Sequence, residues 1–211
     1  MSERKLVSVI TPTWQRQELL LEAMADVRRQ TYRPLEHVIV SDGPHPGLEW
    51  LVKNDAAYRK PGDHVRARFV ELGRNWSGYL DGSFCAAPNV VGSLVAGGEY
   101  QTWWADDERA EPDHTAALVD ALEAEGADFA YSKVRMWWVG TSPEQGWEIG
   151  AAPPQCGQIT NVLYRADLLK RGLYPFGAGM TSDWACIKQW LDAGATWAFV
   201  DRVTLTHRAD H

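Results

Sequence analysis

Short blocks of consecutive apolar residues alternate with longer stretches whose apolar positions recur every three or four residues, and this alternation fills the first half of the chain. Leu6-Val7-Ser8-Val9-Ile10 is a β-branched run with the length of a buried strand, and Thr11-Pro12-Thr13 closes it with a turn. From about Arg16 to Gln30, the residues Leu19, Leu20, Ala23, Met24 and Val27 share one face of a predicted helix. His37 to Val40 is a second buried strand, closed by Ser41-Asp42-Gly43-Pro44. Pro46 then opens a helix that carries Leu48, Leu51 and Val52 on one side. Val65 to Leu72 alternates as a third strand, and a polar, Gly-rich loop from Gly73 to Gly82 leads into a helix over Ser83 to Ala96. Tyr100 to Trp104 is a fourth strand running into Asp106-Asp107-Glu108, after which Pro112 starts a helix with Leu118, Val119 and Leu122 inward and Gly126 as its stop. Such alternation predicts an α/β fold, a Rossmann-like and mostly parallel sheet flanked by helices, with ligands outside the carboxyl ends of the strands.

The second half is less regular. Ala127 to Val139 has the pattern of a long strand, Gly140 to Gln155 of a loop or hairpin, and Gln158 to Tyr164 of another strand. Ala166 to Arg171 is a short helix, and Ser182 to Ala193 a longer one with Trp184, Ile187, Trp190 and Leu191 in period, stopped by Gly194. Trp197 to Leu205 is a last strand, with His207 beyond it. The 211 residues are enough for one sizeable core, so a single compact domain over 1–211 is expected, divided softly near residue 110.

Composition narrows the class. No stretch approaches the length of an apolar membrane span, and Met1-Ser2-Glu3-Arg4-Lys5 does not begin a signal peptide, so a cytoplasmic protein is expected. Three widely spaced cysteines (Cys85, Cys156, Cys186) suit reduced thiols better than a disulfide framework or a metal knuckle. A net charge of −7 disfavours broad attraction to nucleic acid, although Arg66, Arg68, Lys133 and Arg135 could form a local basic face. Eleven tryptophans are the unusual feature, since their flat amphipathic rings serve both cores and stacked ligands.

The candidate chemistry falls at proposed strand ends: Thr11 to Arg16, Asp42, Asp106-Asp107-Glu108 and, far downstream, Asp183. Converging carboxylates there could hold a hard divalent cation against phosphates. Taken alone, the Asp-Asp pair also suits the approach to a helix N-terminus, and both readings stand at this point.

In order along nearly the whole chain, five segments resemble family 2 of the inverting glycosyltransferases, which have the GT-A fold. Val7-Ser8-Val9-Ile10-Thr11-Pro12-Thr13-Trp14-Gln15-Arg16 is similar to the family's opening strand, and Gln30-Thr31-Tyr32 with Glu36 to Gly43 to its second strand and acidic turn. Asn89 with Gly98-Glu99-Tyr100 resembles the approach to the metal-binding strand, Trp104 to Glu108 with Pro112-Asp113-His114 the metal motif, and Gly179 to Trp184 the segment carrying the base. The resemblance implies a UDP-sugar donor, with Asp42 on the uracil or ribose, Thr11, Pro12, Thr13, Trp14 and Arg16 around the nucleotide, and Asp106 on the ribose. It implies Asp107 as ligand of Mn2+ or Mg2+, with His207 as a possible further ligand, and Asp183 as the general base that deprotonates the acceptor hydroxyl. Arg74 and Arg165 are candidate diphosphate contacts; Trp137, Trp138, Trp147 and Trp184 are candidate acceptor contacts. The chain departs from the family at Ala105, Ser41 and Ser182, where acids are common.

The acceptor stays open between saccharide, small molecule, protein and a hydroxymethylated DNA base. A catalytically silent nucleotide- or carbohydrate-binding protein on the same fold is the alternative. Keeping both Asp107 and Asp183 argues for the enzyme. Thr13-Trp14-Gln15-Arg16 lacks the Gly-rich phosphate loop that a sugar-phosphate nucleotidyltransferase would need.

Overall fold

The structure, a computed structural model, describes residues 4–52, 65–77, 85–172 and 182–209. β1 (Val7–Thr13) is buried along its whole length, its Ser and Thr positions included, and pairs in parallel with β2 (Leu35–Ser41) on one side and β4 (Tyr100–Trp103) on the other. β3 (Arg66–Glu71) continues the parallel set beyond β2. Parallel neighbours need a crossover, and α1 (Gln17–Arg29) supplies it between β1 and β2. α2 (Ala86–Val95) precedes β4 and packs on β1 and β2, where Gly92 lets it sit close: a Cβ there would lie 2.4 Å from Ile10 Cγ2.

Beyond β4 the sheet becomes mixed. The remaining strands are β5 (Glu108–Ala110), β6 (Phe129–Trp138), β7 (Trp147–Ile149), β8 (Val162–Arg165) and β9 (Trp197–Ala209). Strand order is β3-β2-β1-β4-β8-β6-β9-β5, with β7 paired to β6. β8 runs antiparallel to β4 and β6, β9 parallel to β6, and β5 antiparallel to β9. α3 (His114–Glu125) joins β5 to β6, and α4 (Ser182–Asp192) precedes β9. Residues 48–52 are helical, and the continuation predicted after Pro46 lies outside the described residues, as do Gly78 to Phe84 and Gly179 to Thr181.

The sheet separates two cores. On one face α1 and α3 bury Val27, Leu118 and Leu122 against Val7, Val9 and Leu163. On the other, Trp103, Phe129, Tyr164 and Val162 meet Cys186, Ile187 and Trp190 of α4, and Trp103 stacks on Trp190 at 5.6 Å. Several tryptophans are therefore core residues, with Trp104 and Trp190 among the largest fully buried side chains.

Three expectations change. The last strand extends to Ala209, so His207 lies inside β9 rather than beyond it, because Glu108 on one side and Met136 on the other both pair with it. Arg165 pairs with Tyr100, at the end of β4 remote from Asp106, and its guanidinium donates to the Ala127 carbonyl and the Tyr100 hydroxyl, so it is no diphosphate contact. The basic face is divided: Arg66 and Arg68 sit on β3, with β2, β1, β4 and β8 between them and Lys133 and Arg135 on β6. Those two cations face Asp201 at 2.5 Å and Glu148 at 2.6 Å. Among the described residues no helix is long and apolar enough to cross a membrane.

Candidate active site

Parallel pairing brings the carboxyl ends of β1, β2 and β4 to one rim, and the predicted site follows from that register. The β1–β2 ladder ends at Thr13 and Ser41, and the Trp104 amide donates to the Ile10 carbonyl as β4 ends. Trp14 to Arg16, Asp42 and Asp106-Asp107 therefore emerge side by side. Thr13 Oγ1 donates to Asp106 Oδ2 at 2.7 Å. Arg16 spans the acidic pair, with Nη2 2.9 Å from Asp106 Oδ1 and Nη1 2.9 Å from Asp107 Oδ2. Asp106 is fully buried, and burial outweighs Arg16 and Thr13 to push its carboxyl up to about 6. Burial works against the Arg16 charge, yet Asp106 and Asp107 together leave that guanidinium held above its ordinary value. Asp107 Oδ1 is buried and has no hydrogen-bond partner among the described residues.

Asp42 anchors the loop that overhangs this rim. Its Oδ1 accepts from the Trp76 amide at 2.9 Å, and its Oδ2 from the Ser77 amide at 3.1 Å and the Ser77 hydroxyl at 2.5 Å. Gly43 adopts φ +112°, and a Cβ there would sit 2.6 Å from the Trp14 ring and 2.7 Å from the Asn75 amide. Arg74 lies over the Trp76 ring at 5.5 Å. Trp14, Asp42 and residues 74–77 form one wall, and Trp76 is partly exposed on it.

A second carboxylate-centred unit lies beside the first. Glu108 is buried; its Oε2 accepts from the Ala105 amide at 2.9 Å, closing the turn that carries Asp106 and Asp107. Its Oε1 is 3.4 Å from His207 Nδ1, its register partner on β9. Burial lowers the His207 pKa and pushes that of Glu108 up, but contact with Glu108 and the charges of Asp107 and Asp183 leave His207 raised overall. Asp183 stands in the first turn of α4, where a carboxylate suits the helix dipole, and its Oδ1 accepts from the Trp184 amide at 2.9 Å.

The predicted residues are thus only partly in the arrangement expected. Asp106, Asp107, Arg16, Thr13, Trp14 and Asp42 share the rim, and the charges of Asp107 and Asp183 both act on His207. Thr11 differs: its hydroxyl meets His37 Nε2 at 2.8 Å inside the sheet, while Pro12 is buried beside it. Trp138 and Trp147 form an exposed pair with centroids 5.0 Å apart, and Trp137 is half-buried next to them. Trp184 packs against the core instead. Sequence reasoning missed Cys85, which precedes α2 at φ 62° close to Asp106, Asp107 and Asp42; burial and those charges push its thiol up to about 12. It also missed Glu108 as the partner of His207. A β-strand signal for Glu108-Arg109-Ala110 could have linked them, but three residues with two charges give none.

The model of the glycosyl transferase family 2 matches residues 8–143, well over half of the chain. The chain belongs to that family. No curated protein matches it. Among solved structures, S. aureus TarS 1-349 in complex with UDP-GlcNAc has a TM-score of 0.73 and 15% identity, covering 97% of this chain and 59% of that one. The same TarS fragment in complex with UDP has a TM-score of 0.69 at 16% identity, with 97% and 60% coverage. Mannosyltransferase PcManGT from Pyrobaculum calidifontis in complex with GDP-Man and Mn2+ has a TM-score of 0.70 and 19% identity, covering 99% of this chain and 57% of that one. This family-2 chain thus shares the GT-A fold of glycosyltransferases and spans about 60% of their length or less.

Proposed function

We propose that this chain transfers a sugar from a UDP-sugar to an acceptor hydroxyl with inversion, assisted by a divalent cation held at Asp107. The observation that carries the reading is the rim itself: Asp107 offers a buried carboxylate oxygen with no hydrogen-bond partner among the described residues, and the charges of Asp107 and Asp183 both bear on His207. The UDP and UDP-GlcNAc of the TarS complexes and the GDP-Man and Mn2+ of the mannosyltransferase complex support a nucleotide-sugar donor for this fold.

A Mn2+ or Mg2+ ion fits the Asp107 oxygen chemically, as a hard cation that takes one or two carboxylates and fills its shell with donor phosphates and water. Among the described residues no group of three His, Cys, Asp or Glu side chains could hold a metal ion. Such an ion would supply charge neutralisation on the departing diphosphate. His207, with Nδ1 3.4 Å from Glu108 Oε1, would offer its other ring nitrogen as a further ligand.

The chain's own residues do the rest. Trp14 and the Asp42-tethered loop bind the nucleotide, so Asp42 acts on it by holding Trp76 and Ser77 as well as by direct contact. Asp106, held by Thr13 and Arg16, is assigned to the ribose. Asp183 takes the proton from the acceptor hydroxyl as its oxygen attacks the anomeric carbon. Residues 1–110 form the donor half, and 111–211 carry the base and acceptor surface. The exposed Trp138–Trp147 pair is the acceptor platform, suited to the flat face of a saccharide ring. Arg66 and Arg68 are separated by four strands from the ion-paired Lys133 and Arg135, so these four residues do not form one basic face.

A UDP-sugar panel with Mn2+, scored for UDP release with and without acceptor, tests the reading. Asp183→Asn should lower kcat by about 10²–10⁴-fold while leaving UDP affinity unchanged. Turnover unaltered by Asp183→Asn would remove the base assignment. UDP binding without turnover on any donor would leave a nucleotide-binding protein on the same fold.

A further inference from the structure

Arg16 does something at this rim that a donor-binding arginine need not do. Its two terminal nitrogens each lie 2.9 Å from a different acid, Asp106 and Asp107, so one guanidinium holds the charge of both. Asp106 is fully buried and the Asp107 side chain is 11% exposed, so neither acid is well screened by water. Asp107 is also the carboxylate assigned above to the divalent ion. A dication at its free Oδ1 would stand next to the guanidinium bound at Oδ2, and two cations that close repel strongly in a poorly screened site. A diphosphate removes the conflict, since a guanidinium is a good bidentate partner for phosphate and can leave Asp107 for it.

We propose that Arg16 is a built-in counter-cation that blocks Asp107 until the donor arrives, making divalent-ion binding conditional on the diphosphate. The inference rests on Asp107 as metal ligand. Arg16 is a positioning residue here: without donor it offsets one of the two negative charges of the acidic pair, and it yields Asp107 when phosphates offer it a better partner. A site that takes up its ion only with the donor does not fill with free metal, and it orders the encounter.

The test is Mn2+ binding to the full chain, followed by the loss of the free-ion EPR signal, with and without UDP. In the parent chain Mn2+ should bind weakly alone and at least tenfold more tightly with UDP. Arg16→Gln should tighten Mn2+ binding without nucleotide by roughly tenfold or more and shrink the UDP enhancement. Arg16→Lys keeps the charge but cannot span both acids, and should give a smaller gain, with folding of each variant checked by thermal melting. Mn2+ affinity without UDP that is unchanged or weaker in both variants would overturn the role of Arg16. Asp107→Asn separates the two ideas. If it lowers Mn2+ binding in the UDP complex while the Arg16 variants change nothing, only the counter-cation role fails; if it too changes nothing, the metal assignment fails and takes that role with it.

Discussion

Burial of the Asp106 carboxylate, with Thr13 and the partly exposed Arg16 as its polar contacts, raises its pKa from the ordinary carboxylate value to about 6. The sign of the consequence follows from linkage. Below about pH 4 the group is protonated in folded and unfolded chains alike; between pH 4 and 6 the folded chain holds the proton more tightly; above about pH 6 folding has to bury a charge. Stability associated with this group is therefore present at low pH and lost as pH rises through that window. Asp106→Asn should be close to neutral at pH 4 and more stable than the parent by about 1–3 kcal/mol at pH 8, in urea unfolding, while losing transferase activity. A difference independent of pH would mean that Asp106 titrates normally. Asp42 and Asp106-Asp107 were readable from the sequence as candidates, because they follow runs with the length and pattern of buried strands. Their partners were not. Arg16 meets its two acids across some ninety residues of chain, and Cys85 approaches the same acids from the start of α2. No local pattern encodes contacts of that separation.

At the scale of elements, β1, β2 and β4 were legible as short runs rich in β-branched and aromatic residues, and their parallel pairing follows from the intervening helices. β5 was not, since Glu108-Arg109-Ala110 is a strand only by virtue of β9, and this in turn drew His207 into the sheet. The segment 74–77 is likewise defined from outside, by Asp42 accepting two backbone amides and a hydroxyl and by Gly43 passing under Trp14. Gly43→Ala would combine an unfavourable positive φ with overlap on the Trp14 ring and the Asn75 amide. It should cost about 2–4 kcal/mol in urea unfolding and weaken UDP binding. Asp42→Asn should be milder in stability, about 1–3 kcal/mol, because one carboxylate oxygen becomes an NH2 facing other donors. Calorimetric titration with UDP should show both variants weakened; a Gly43→Ala chain that binds UDP as the parent does would mean that this wall does not touch the donor.

For the whole molecule, the groups assigned to donor and ion come from the ends of β1 and β2, the β4–β5 turn and β9, which lie on both sides of the division near residue 110. A ligand that ties elements so distant in sequence stabilises the fold as a unit, by an amount set by mass action. At a hundredfold excess over Kd that is about 2.7 kcal/mol. In a domain near 200 residues each kcal/mol raises Tm by roughly 2–4 °C, so UDP with Mn2+ should lift Tm by roughly 5–10 °C. Mn2+ alone should move Tm little, because Asp107 is shared with Arg16. UDP alone should give an intermediate rise, through Trp14 and the loop at 74–77. EDTA added to the ternary complex should return Tm to the value with UDP alone, and Asp107→Asn should abolish the increment due to Mn2+ while keeping that due to UDP. An increment surviving Asp107→Asn would place the ion elsewhere. A full rise with UDP alone, insensitive to EDTA, would instead assign neutralisation of the diphosphate to Arg16 itself.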